Sequence, residues 1–243
     1  MESWSHSAAH SHNSDRTLVI MAKAPKPGQV KTRLNPSLPL PAVTAFYRCL
    51  LDDTLQLARS LGDVEIAVMC PGSDVDEVAG LVGGGVRVVA QTGEGLAAAL
   101  TSVFQEFATA GHRRIIAFNS DSPHLPASFL HSAFEALVAS DLVVGPTFDG
   151  GYYLVGAKTI HPGLFEGDGM GTGSALDLLL ARARTMELAV GFTDPFYDID
   201  VVDDLVRLAA ELKLAPARAP RTAAWMKQWE PAVAQLQTGT EDL

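Results

Sequence analysis

Apolar residues recur along this chain in two rhythms. Short runs rich in β-branched residues, at 17–22, 64–70, 86–90, 114–118, 142–145, 152–156 and 188–192, predict strands. Between most of them lie stretches with the 3.6-residue period of amphipathic helices, at 41–60, 73–81, 95–110, 126–139, 172–184 and 201–214. In the first of these, Val43, Phe46, Cys49, Leu50, Thr54 and Leu57 fall near one face, and Pro41 suits an opening helical turn, where its missing N–H has no partner to lose. Strands alternating with helices predict an α/β fold with a largely parallel sheet, because parallel neighbours need a helical crossover. Residues 215–221 read as a Pro/Ala/Arg linker. Residues 222–236 read as a closing helix whose Trp225, Met226 and Trp229 form an apolar stripe, packed back on the domain or turned toward a dimer or other partner.

Composition narrows this picture. With 47% hydrophobic and 19% charged residues over 243 positions, the chain has the makings of one well-filled domain, placed at 16–214 behind a Ser/His-rich leader at 1–15. The leader lacks the apolar stretch of a signal peptide, and its His6, His10 and His12 would at most bind a metal ion loosely. No run approaches the roughly 20 apolar residues that span a bilayer. Cys49 and Cys70 are far apart and in no C-x-x-C spacing, so they read as buried apolar side chains of a cytoplasmic protein. A net charge of -10 argues against a nucleic-acid surface, which needs many Lys/Arg contacts to phosphate.

That acidity is suspended in one place. From Asp15 to Asp52 no acidic residue intervenes, and directly after the first strand come Lys23, Lys26, Lys31 and Arg33, set among Pro25, Pro27 and Gly28. Prolines stiffen such a loop, Gly28 permits a tight turn, and the cations offer charge-assisted hydrogen bonds to phosphate oxygens. Lys31-Thr32 is not a P-loop, because Val30 stands where that motif needs glycine. After the fourth strand comes Asn119-Ser120-Asp121-Ser122-Pro123-His124, where Asp121 is placed to hold Mg²⁺ against substrate phosphates, Ser122 reads as a helix N-cap and His124 as a loop residue. In Asp149-Gly150-Gly151, between two apolar runs, a hairpin turn is one reading. Close backbone approach to a ligand, with Asp149 as a base or acceptor contact, is the other. Asp198 and Asp200 alternate on one face of an extended segment, positioned to complete a metal site begun by Asp121, while Asp203 and Asp204 decorate the next helix's first turn. The glycine-rich stretch 167–174 does not match G-x-G-x-x-G and reads as a substrate loop or a linker.

Taken in order, Met21-Ala22-Lys23-Ala24-Pro25-Lys26-Pro27-Gly28 with Val30-Lys31-Thr32-Arg33-Leu34, Ser120-Asp121-Ser122-Pro123, Gly145-Pro146 with Asp149-Gly150-Gly151-Tyr152-Tyr153, and Asp198-Ile199-Asp200 resemble the DUF2064 family. That family lies in the glycosyltransferase-A-like, nucleotide-diphospho-sugar transferase superfamily and is similar to the 2-phospholactate and phosphoenolpyruvate guanylyltransferases. The resemblance implies a single-domain, Rossmann-like α/β/α sandwich with a mostly parallel mixed sheet. It also implies a nucleotide substrate, a triphosphate or a nucleotide sugar, a small-molecule acceptor, and a Mg²⁺ or Mn²⁺ ion. Carried over by position, Lys23, Lys31 and Arg33 would meet phosphates, helped by Pro27, Gly28, Ser120, Gly150 and Gly151, and Asp121 with Asp198 or Asp200 would hold the metal. Asn119, Met170-Gly171-Thr172 and Val201-Val202 depart from the family's usual residues. Three functions stay open on this reading: nucleotidyl transfer with Lys31 and Arg33 catalytic, glycosyl transfer with Asp149 as base, and nucleotide binding without catalysis. The first two require the basic loop and the two aspartate turns to meet in space.

Overall fold

The computed structural model describes residues 15–166, 173–230 and 232–233. The leader at 1–14 and the Met170-Gly171-Thr172 segment lie outside these described residues, as does most of 231–243. The strands are β1 (Arg16–Met21), β2 (Glu65–Cys70), β3 (Arg87–Ala90), β4 (Arg114–Asn119), β5 (Leu142–Pro146), β6 (Tyr152–Ala157) and β7 (Val190–Phe192). The helices are α1 (Leu40–Arg59), α2 (Val75–Val82), α3 (Gly95–Thr109), α4 (Ala127–Ala139), α5 (Ala175–Thr185), α6 (Val202–Leu214) and α7 (Pro220–Gln228). They alternate as the apolar rhythm predicts.

The strands form one seven-stranded sheet in the order β3-β2-β1-β4-β6-β5-β7. Only β6 runs antiparallel to its neighbours, because it is joined to β5 by a hairpin closed by the Thr147 amide donating to the Gly151 carbonyl (3.0 Å). Alternate side chains of each strand bury opposite faces. Leu18, Ile20, Val68, Ile116 and Phe118 pack under α1, α2 and α4, whereas Val19, Ala67, Met69, Ile115 and Ala117 pack under α3 and α5. A third cluster joins α1, α6 and α7 around Phe46, Leu205, Leu208 and Trp225. Cys70 is buried as expected, but Cys49 is only half-buried, because it sits at the margin of the α1 face that Phe46 and Leu50 occupy.

This order fixes where a ligand can sit. From β1 the chain winds outward through β2 and β3, then returns to place β4 on the other side of β1. The two windings part at the carboxyl ends of β1 and β4, the usual position of a crevice in an open α/β sheet. Lys23 leaves one strand there and Asp121 leaves the other. Among the described residues, no helix is long and apolar enough to cross a membrane.

Candidate active site

At that point lies a cleft of about 910 Å³, walled by Met21–Lys23 and Gln29–Arg33 from the β1 side, Met69 of β2 and Pro71–Ser73 beyond it, Gln91 and Gly93–Leu96 beyond β3, Tyr47 of α1, Ser120 and Asp121 beyond β4, and Asp200. The basic loop is fixed from beneath by two residues of other elements. Tyr47 on α1 accepts the Lys23 amide (2.9 Å) and shares a hydrogen bond with Ser120 (3.3 Å), so one phenol pins both strand ends. Asp74 accepts the Ala24 amide (2.9 Å) and pairs with Lys26, whose charge therefore braces the loop rather than facing the cleft. Lys23 also lines the cleft, with an exposed side chain.

Lys31 is the centre of the arrangement. Its backbone is left-handed, at φ 46° and ψ 42°, a conformation that costs a non-glycine residue about 1 kcal/mol. There it opens a short 3₁₀ turn, Thr32–Leu34, and its ammonium lies 2.9 Å from Asp121 Oδ1 and 2.9 Å from Asp200 Oδ1, with the side chain only 5% exposed. Arg33 reaches Asp200 Oδ2 at 3.5 Å from a mostly exposed position. The two acidic segments are stitched together: Ile199 donates its amide to the Asp121 carbonyl (3.1 Å) and Ser122 donates its hydroxyl to the Tyr197 carbonyl (3.0 Å). Ser122 therefore ties loops instead of capping α4, whose first turn has no side-chain cap. Asp204 accepts the amides of Asp200 and Val201 (2.9 Å each), setting the Asp200 backbone as it caps α6.

Charge follows geometry. Burial works against the Lys31 ammonium, but Asp121 and Asp200 outweigh it and hold the amine firmly protonated. Burial likewise raises Asp200, and Lys31 overrides it to bring the carboxyl below its ordinary range. Asp198 has no such relief: burial first, then the charges of Asp200 and Asp121, push it up to about 6. Among the described residues no three acidic, His or Cys side chains converge to enclose an ion. Two carboxylates do converge, and Asp121 Oδ1 is buried without an aligned hydrogen bond although an ammonium stands beside it. A buried carboxylate oxygen that faces a phosphate-sized cleft and has a cation beside it fits a Mg²⁺-type ion, which commonly takes one or two carboxylates and completes its shell from phosphates and water.

Comparison with known proteins agrees with the sequence resemblance. Residues 54–172 match the DUF2064 family model, described as "Uncharacterized protein conserved in bacteria". The match covers 119 of the 243 residues. No curated protein matches the chain. Among solved structures, this chain is similar to a candidate nucleotide-diphospho-sugar transferase from Desulfovibrio desulfuricans G20, with 27% identity, 92% of this chain and 98% of that one covered, and a TM-score of 0.85. It shares its fold with a nucleotidyl transferase from Methanothermobacter thermautotroptrophicus (18% identity, 82% and 99% covered, TM-score 0.57). The same holds for 4-diphosphocytidyl-2C-methyl-D-erythritol synthase from Anaerococcus prevotii DSM 20548 (11%, 82% and 97%, 0.57). The glycosyltransferase-A-like α/β/α sandwich is thus the fold of this protein.

Not every expected site residue reaches the cleft. Lys23, Lys31, Arg33, Ser120, Asp121 and Asp200 line it, and Asp198 lies close enough to feel the Asp121 and Asp200 charges. Pro27 and Gly28 are exposed outside its lining. Asp149 accepts hydrogen bonds from the Thr147 hydroxyl and the Gly151 amide (3.2 Å), closing the β5–β6 tip away from the cleft. Gly150, at φ 88°, is packed so closely that a Cβ would run into the Gly173 carbonyl, and its own carbonyl accepts the Leu176 amide (3.0 Å) at the start of α5. The close approach is therefore to the chain itself. Gly150→Ala is expected to cost about 2 kcal/mol in a denaturant titration, from left-handed strain plus the clash.

His124 is fully buried against the Phe196 and Tyr197 rings and is out of reach of any substrate. Burial, then the charges of Arg218 and Arg207, push it down to about 3, and Glu211, 3.8 Å away, is already engaged by both arginines. A histidine held neutral when folded takes up its proton only on unfolding, so its contribution is complete above pH 6.5 and declines as pH falls from there toward 3. His124→Gln should flatten the loss of stability between pH 6.5 and 4, read from urea midpoints across that range.

Sequence reasoning missed Tyr47, Asp74 and the 91–96 wall. The last carried a signal, since Gly93-Glu94-Gly95 follows β3 just as the basic loop follows β1.

Proposed function

We propose that this protein is a Mg²⁺-dependent transferase acting on a nucleotide, and specifically that it transfers a nucleotidyl group from a nucleoside triphosphate to a small phosphorylated acceptor, releasing pyrophosphate. One observation carries the reading: Lys31 joins Asp121 and Asp200 on the floor of the crevice where the sheet's windings part, with Arg33 beside them and Lys23 on the same wall. A cleft of about 910 Å³ has room for a triphosphate. In this reading Lys23, Lys31 and Arg33 bind the β- and γ-phosphates and stabilise the negative charge that grows on the leaving pyrophosphate. Asp121 and Asp200 hold the divalent cation, with Asp198 beside them, and Tyr47 keeps the Lys23 and Ser120 walls at a fixed separation. The ion, when bound, supplies charge neutralisation between phosphate oxygens. The acceptor's phosphate attacks the α-phosphorus, so no base is needed to create the nucleophile.

Similarity to the Desulfovibrio candidate nucleotide-diphospho-sugar transferase favours a second reading: a nucleotide-sugar donor, whose nucleoside diphosphate leaving group is stabilised by the same cations. Asp149 would then deprotonate an acceptor hydroxyl, and would first have to give up its Thr147 and Gly151 hydrogen bonds. Pyrophosphate release over a panel of triphosphates and small phosphorylated acceptors, run beside nucleoside-diphosphate release over a panel of nucleotide sugars, separates the two. Pyrophosphate is the expected product. Silence in both panels, with nucleotides still raising the melting temperature, would instead mark a binding protein.

A further inference from the structure

We infer that Lys31 is a placeholder cation: it occupies the Asp121–Asp200 pair until a metal-bound nucleotide displaces it, so that metal and nucleotide enter the site together. The inference rests on the metal-dependent nucleotide reading above and adds an order of events and a second task for one lysine.

Three observations lead to it. The ammonium sits 2.9 Å from one oxygen of each carboxylate, between the two groups best placed to ligate an ion, and its side chain is 5% exposed. A divalent ion bridging those oxygens would have to take the position of the ammonium, since two cations cannot share it. Only two carboxylates converge there, and among the described residues no third acidic, His or Cys side chain completes a cage, so protein alone offers a poor shell and phosphate oxygens must supply the rest. Finally, the two contacts differ: the lysine makes an aligned hydrogen bond to Asp200, whereas it meets Asp121 Oδ1 as an ion pair at 2.9 Å without that alignment, and its backbone is kept left-handed at the mouth of the 3₁₀ turn.

A four-carbon stem rooted on the cleft wall lets the ammonium move from the carboxylates to an incoming phosphate without moving the loop, which Tyr47 and Asp74 pin behind it. The exchange improves the charge balance: with Lys31 between them the two carboxylates keep one net negative charge, which Arg33 meets from the rim at Asp200, whereas a divalent ion would match both carboxylates and release the ammonium to phosphate. A free divalent ion arriving alone would have to expel the lysine from two carboxylates without bringing a phosphate to receive it.

Mn²⁺ binding to the full chain, followed by the electron paramagnetic resonance signal of the free ion, tests this without any turnover. Wild-type protein should bind Mn²⁺ weakly alone and roughly tenfold or more tightly once ATP, CTP, GTP or UTP is added at saturation, after allowance for the Mn²⁺ held by free nucleotide. Lys31→Met should bind Mn²⁺ without nucleotide roughly tenfold more tightly than wild type, because the competitor is gone and two half-buried carboxylates lose the counter-ion they share. Adding Asp200→Asn to that variant should abolish the gain. Equal Mn²⁺ affinity of Lys31→Met and wild type without nucleotide, with wild-type binding still enhanced by a triphosphate, overturns the placeholder and leaves the metal-dependent reading standing. No Mn²⁺ binding by either protein, with or without any triphosphate, removes both. Should Lys31→Met fail to fold, the wild-type arm decides alone: tight Mn²⁺ binding in the absence of nucleotide overturns the inference.

Discussion

Asp121→Asn is expected to lower transferase turnover by about a thousandfold, the scale of losing a charged group that acts on the reacting phosphates, while the protein stays folded. The change keeps shape and removes charge. The backbone at this position is held by bonds that the substitution does not touch, from the Asp121 amide to the Asn119 side chain (3.2 Å) and from the Ile199 amide to the Asp121 carbonyl (3.1 Å). Lys31 keeps Asp200 as its partner, so no buried cation is stranded, and the loss of stability should stay near 1–2 kcal/mol. Removing the Asp121 charge also removes one of the forces that raise Asp198, so any acidic limb of activity set by that group should shift to lower pH. Product release in the nucleotide panels, paired with a thermal melt, provides the check. Turnover at the wild-type level would take Asp121 out of the site and with it the proposed role of the Lys31 cluster.

The parts of this site that were legible in sequence are those whose chemistry is local. An acid-free basic loop behind the first strand announces an anion site, because attraction between fixed charges and phosphate needs only a local excess of one sign. The alternation in Asp198-Ile199-Asp200 announces two carboxylates on one side of an extended segment, and Ile199 is indeed the buried member of the three. Strand positions were equally readable, since strands covered on both faces are continuous apolar runs. What sequence did not disclose depends on partners far along the chain. Tyr47 falls on the apolar face of α1 and reads as one more core ring, and nothing in a 3.6-residue period says that its hydroxyl meets Lys23 and Ser120. Asp74 reads as an acid near a helix start, yet it faces Ala24 and Lys26 across 50 residues of chain. Lys26 and Lys31 look alike in the loop. Only the fold makes one a brace and the other the centre of the site. Asp149-Gly150 shows the converse case, where a local signal had two meanings and α5 supplied the packing that the ligand reading had assigned to substrate.

Trp225→Ala is expected to destabilise the protein by about 4 kcal/mol, as large-to-small changes at buried tryptophans do. Its indole is 5% exposed, lies 4.7 Å from the Phe46 ring centroid and stacks on Trp229 at 5.8 Å, so truncation opens a void between α1 and α7. The helix cannot simply drift to fill it, because Asp53 on α1 accepts the amides of Arg221 (3.2 Å) and Thr222 (2.7 Å) and fixes its first turn. Phe46 and Tyr47 are consecutive on α1, so loss of packing behind Phe46 should also loosen the phenol that joins Lys23 to Ser120. Weaker nucleotide binding is therefore expected from a substitution remote from the cleft. Trp225→Phe, which keeps a ring against Phe46, should recover most of the stability, with a loss below about 1.5 kcal/mol. Urea denaturation of both variants reads the first effect, and nucleotide-induced thermal shifts read the second. A loss under about 1 kcal/mol for Trp225→Ala would mean that α7 unfolds independently of the sheet, and the tryptophan stripe would then belong to an assembly contact rather than to this core.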